Sequence, residues 1–131
     1  MKDESNGEGG KMKTEQPQEL GARTKAFALR IIKLYSALPK TTEAQVIGKQ
    51  LLRSGTSVGA HYREARRAKS DADFISKMEG GLQELDETAY WLELLGEAAI
   101  VKPEHLKPLL EEVEELIAIF VTMVKKVKNK R

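Results

Sequence analysis

The sequence contains no cysteine. Disulfides, zinc–thiolate sites and thiol nucleophiles are excluded together, and the absence fits a reducing, cytoplasmic setting. Histidine is scarce, with only His61 and His105. Di-iron sites in helical bundles need Glu-x-x-His pairs, yet Val58 and Lys102 stand three residues before these histidines. Two isolated imidazoles do not make a zinc site either, so no metal or cofactor is expected. No apolar run approaches the ~18 residues that span a bilayer. Residues 1–19 have no apolar core of the kind a secretory signal carries. Phosphate loops of the Walker or dinucleotide type are missing: GEGG at residues 7–10 is not followed by Lys-Ser/Thr. Ser54 and Ser57 have no positioned base, and an enzyme is not expected. No module that stacks bases on aromatic side chains is visible.

What is present is helical periodicity. At 131 residues the chain has the length of one domain. No segment alternates with the period of a strand. Residues 1–20 are polar and rich in Gly, Glu, Lys and Gln; such a segment cannot offset its ordering entropy by burial and is expected to be disordered. Residues 21–131 carry four apolar stripes. Phe27, Ile31, Leu34 and Leu38 predict a first helix over about 22–38, closed by Pro39.

A second helix, about 42–67, takes Ile47, Leu51, Val58, Tyr62 and Ala65, with Thr42 and Gln45 at capping-box spacing. Its SGTSVGA segment, residues 54–60, would break a helix on propensity alone. The stripe nevertheless keeps its phase from Leu51 to Val58, which favours one continuous helix over a loop. A third, about 70–99, opens at Ser70 and follows Ile75, Met78, Leu82, Leu85, Ala89 and Leu92. A fourth, about 103–128, starts at Pro103 and runs through Leu106, Leu110, Val113, Ile117, Phe120, Val124 and Val127. Short linkers make neighbours antiparallel, so the expected class is all-α, an up-down-up-down four-helix bundle.

The net charge is only +2, but it is segregated. Arg53, Arg63, Arg66, Arg67 and Lys69 face a single acid, Glu64, in the second helix and the turn after it. Eight acids stand against Lys77 between Asp71 and Glu97. Arginine forks suit bidentate phosphate contacts, which makes the five cations a candidate nucleic-acid site. The competing reading is structural: cations at a helix C-terminus are stabilised by its dipole, and the acidic start of the third helix offers them partners. A separate signal lies at Trp91 and Leu94, which project away from the Leu85–Leu92 stripe. A large aromatic beside a leucine on an outward face marks a candidate self-association surface.

The stretch LLRSGTSVGAHYREARRAKSDADFISKMEGGLQELDETAYWLELL, residues 51–95, resembles the four-helix bundle proteins encoded in intervening sequences of bacterial 23S rRNA genes. Those proteins carry an Arg-Ser-x-x-Ser-(Val/Ile) element, matched here by Arg53, Ser54, Ser57 and Val58, with Glu64 further on. His61 stands where a common variant has Asn. The bundle is also similar to the accessory protein of diversity-generating retroelements, a pentamer whose basic surface engages a reverse transcriptase and nucleic acid. The resemblance implies a non-enzymatic homo-oligomer, a pentamer by that likeness. Its partner would be RNA or a nucleic-acid enzyme met through the basic patch, or otherwise a protein in a scaffold without nucleic-acid contact.

Overall fold

Each stripe becomes a helix whose ends are set by local caps. The computed structural model describes residues 17–130, with side chains from residue 19 onward. Its helices are α1 (Pro17–Ser36), α2 (Thr42–Arg66), α3 (Asp71–Glu97) and α4 (Pro103–Lys128). α1 packs on α2, α2 on α3 and α3 on α4, while α4 returns to α1 through a thinner contact. That closed order is the expected four-helix bundle, and the described residues form no strand.

α1 begins earlier than its stripe predicts. Leu20 is fully buried and extends the stripe by two turns, so helix replaces the disorder expected at residues 17–20. The same expectation for residues 1–16 lies outside the described residues. At the other end α1 stops at Ser36, and the N–H groups of Ala37 and Leu38 donate to Leu34 and Tyr35 carbonyls in a tightened last turn. Leu38 stays buried beyond the helix.

The cap of α2 is Thr41 rather than Thr42. Thr41 Oγ1 accepts from the Ala44 N–H at 3.3 Å. Gln45 is not the reciprocal half of a capping box: its Nε2 donates to the Pro39 carbonyl at 2.8 Å and its Oε1 accepts from the Tyr35 hydroxyl. It ties the α1–α2 turn to the end of α1. Thr41→Ala is expected to cost about 1 kcal/mol in urea unfolding, with Thr42→Ala within about 0.5 kcal/mol of wild type. The opposite ranking would move the cap.

α2 runs unbroken through residues 54–60. The small residues there let α1 approach: a Cβ on Gly55 would stand 2.8 Å from Ile31 Cγ1. On the other side Ser54 and Thr88 bring their hydroxyls within 2.9 Å in the buried α2–α3 seam. That seam corrects the α3 stripe. Gly81, Thr88 and Leu95 are buried between Met78, Leu85 and Leu92, whereas Ile75, Leu82 and Ala89 are only partly covered. Ser70 caps α3 as expected, accepting from the Asp73 N–H at 3.0 Å.

α4 has the predicted ends, but its core face departs from the predicted line: Leu110, Ile117 and Val127 are only partly covered. Leu109, Leu116 and Ile119 are buried with Leu106, Val113, Phe120 and Val124. A two-turn face of this breadth is usual where a helix meets two neighbours. α4 is held to α1 by Arg23, whose guanidinium grips the Glu112 carboxylate at 2.8 and 2.9 Å and also reaches Glu115. The hydrogen bond that Arg23 donates to Glu112 leads the effects that hold the Arg23 pKa above its usual value.

Candidate nucleic-acid interface

The five cations of the α2 end do not form one group. Arg53 lies further up the helix and is engaged across the α2–α3 seam. Its guanidinium stands 3.2 Å from Glu84 Oε1 and also binds Glu87. The hydrogen bond to Glu87 is foremost in raising its pKa. Its charge is therefore met within the chain.

Arg63, Arg66, Arg67 and Lys69 behave otherwise. All four are exposed, and among the described residues none has a carboxylate within 4 Å. The acids that open α3 are engaged elsewhere: Asp71 pairs with Lys130 at 3.4 Å and Asp73 with Lys77 at 2.9 Å. Lys77, by hydrogen bond, is the main reason the Asp73 carboxyl sits below its usual pKa. Only the backbone N–H of Lys69 reaches Asp73, at 3.4 Å.

Two concavities meet at this ridge. The first, about 800 Å³, runs between α1 and α2 over a floor of small residues that includes Thr24, Ala28 and Gly59. Its walls carry Lys25, Arg63, Arg66 and Arg67 against Glu64 alone. The second, about 610 Å³, lies at the end of the bundle among Lys69, Phe74, Met123 and Val127. Tyr62 and Arg66 belong to both. The Arg66 guanidinium lies 5.9 Å from the Tyr62 ring centroid, over the ring, and close to Gly21 of α1. Lys25 was invisible to the reading of α2 alone, because α1 presents it only when the two helices pair.

The predicted association surface is also redistributed. Trp91 is partly buried against the core, with its indole N–H enclosed and without a partner among the described residues. Leu94 is half-buried. The outward aromatic is Tyr90, whose ring meets Trp91 edge-on at 5.0 Å. Leu29 and Ile32 on α1 and Val46 on α2 are exposed as well. Sequence reasoning missed Leu29 and Ile32, although apolar residues off the α1 stripe are the signal that would have found them.

His61 packs on Gly80 with Nε2 3.8 Å from Glu84. Among the described residues no group of three His, Asp or Glu side chains is placed to hold a metal ion. None of the described helices is long and apolar enough to cross a membrane.

Comparison with known proteins places the architecture. No curated protein matches the chain. The crystal structure of a protein of unknown function from the S23 ribosomal protein family of Bacteroides thetaiotaomicron is similar, with a TM-score of 0.79 and 38% identity over 87% of this chain and 99% of that one. Residues 18–122, from the start of α1 into α4, match the family model described as 23S rRNA-intervening sequence protein, and the chain belongs to that family.

Proposed function

We propose that the protein is a non-enzymatic bundle that binds structured RNA through the ridge of Arg63, Arg66, Arg67 and Lys69, with Lys25 on the facing helix. The observation that carries this reading is that, among the described residues, none of the four ridge cations has a carboxylate within 4 Å, although Glu64 stands beside them. The carboxylates that open α3, Asp71 and Asp73, already serve Lys130 and Lys77. A helix end arranged for stability alone gains from such pairing; leaving four cations open in a cluster favours a polyanion. The family's link to rRNA genes supports RNA as that polyanion. The homopentamer implied by the resemblance would repeat the ridge and add avidity without any new contact.

The test is filter binding to a structured RNA across a salt series. Four phosphate contacts give a slope of log affinity against log salt of roughly −3 to −3.6. Between 50 and 200 mM salt the affinity then falls roughly 60- to 150-fold. Binding that is absent at low salt, or indifferent to salt, would overturn the reading.

A further inference from the structure

The ridge offers partners to phosphates, yet the recess beside it at the end of the bundle has a different chemistry. Its volume, about 610 Å³, lies within the range of ligand pockets. Three helices build it: Ala65 comes from the end of α2, Phe74 from α3, and Met123 and Val127 from α4. Phe74, Met123 and Val127 are only partly covered, so one aromatic ring and two aliphatic side chains stay partly open to solvent. The rim is polar. Arg66 and Lys69 stand on it, and among the described residues neither has a carboxylate within 4 Å. Asp71, also on the rim, is paired with Lys130 at 3.4 Å, and Ser70 adds a hydroxyl.

From this we infer that the recess seats one unpaired nucleobase of the RNA whose phosphates lie on the ridge. The inference rests on the RNA reading above and narrows it: the partner carries an unpaired nucleotide, as in a hairpin loop. A phosphate alone gains nothing from Phe74 and Met123, and an apolar peptide gains nothing from Arg66 and Lys69. A nucleotide has both parts, a flat face that stacks on rings and guanidinium planes and an anion joined to it. The recess is also continuous with the ridge. Tyr62 and Arg66 line both it and the α1–α2 groove that carries Arg63 and Arg67. A strand with its phosphates along that groove can therefore turn a base inward past Arg66 without leaving the surface. Bases within a helix are stacked on one another and have no free face to offer. Because the ring and the floor come from separate helices, no base-stacking module shows in the sequence.

The test compares an RNA hairpin with an intact loop and the same hairpin with abasic loop nucleotides, which keeps every phosphate. In filter binding, wild type should hold the intact hairpin at least about 5-fold more tightly. That is the lower end of what one base stacked on an aromatic side chain contributes. Phe74→Leu, which leaves an apolar side chain against the core, should remove this preference, while the binding that remains keeps the salt slope of the ridge. Circular dichroism checks that the variant is folded, and the comparison of the two hairpins on wild type needs no variant at all. Equal affinity of wild type for both hairpins, with a steep salt slope, would overturn the base seat and leave the phosphate ridge standing. The recess would then fall to another occupant, such as an apolar side chain of a protein partner. A folded Phe74→Leu that still prefers the intact loop as wild type does would overturn the seat as well. Failure to bind either hairpin would bring down the RNA reading and this inference with it.

Discussion

Phe120→Ala should cost about 3–5 kcal/mol of unfolding free energy. Phe120 is fully buried at the meeting of three helices. Its ring lies 6.0 Å from that of Tyr62, tilted by 43°, an aromatic contact between α4 and α2. Its other edge occupies the space that Gly81 leaves on α3: a Cβ there would stand 2.7 Å from Phe120 Cε2. Truncation removes the contact with both helices, and the backbones that enclose the ring cannot close in while Met78, Leu85 and Val113 keep their own packing. Since domains of this kind are stable by about 5–15 kcal/mol, the loss is a large share of the whole. Urea unfolding followed by circular dichroism, with an unchanged m-value, measures it. A loss under about 1.5 kcal/mol would mean that the site collapses around the missing ring.

Gly81 also illustrates why the helices were legible in the sequence and their contacts less so. α4 could be read to its ends because apolar spacing, Pro103 and the lysine-rich finish agree. The α3 seam could not, because hydrophobicity does not flag Gly81 or Thr88 as core. They are buried because Phe120 of α4 and His61 of α2 close over Gly81, and Ser54 of α2 reaches Thr88. The start of α1 was obscured by the polar composition before it, although Leu20 already continued the stripe. Adjacent threonines at 41 and 42 both have capping chemistry, and only the helix phase selects Thr41.

The site shows the same division. That the α2 end is basic follows from composition. Which of its cations are free depends on partners 31 and 34 residues away, since the α2–α3 register alone brings Glu84 and Glu87 to Arg53. The pairing of Lys130 with Asp71 is likewise a product of topology, because it joins the end of α4 to the start of α3. Trp91 stands out by size, yet one helical step turns it toward the core and leaves Tyr90 outward. Charge and apolarity are properties of residues; openness is a property of the packed bundle.

That distinction yields the largest functional effect. On the proposed RNA reading, Arg63→Glu combined with Arg66→Glu is expected to weaken binding more than 100-fold, while Arg53→Gln changes it less than threefold. Hydrogen bonds to charged groups contribute about 1.5–3 kcal/mol each, so two lost arginine contacts exceed a factor of ~100; the introduced carboxylates then add repulsion. The salt slope should fall by about two with the two contacts. Arg53 is different because its guanidinium already serves Glu84 and Glu87, and its exposed ion pairs contribute only about 0–1 kcal/mol to stability. Arg66 also lies over Tyr62, so the double variant forfeits about 0.5–1 kcal/mol of stacking. Thermal melts separate that loss from the binding effect, which is far larger. Equal sensitivity at Arg53 would move the interface up the α2–α3 seam, and a double variant that binds like wild type would remove the ridge from RNA recognition altogether.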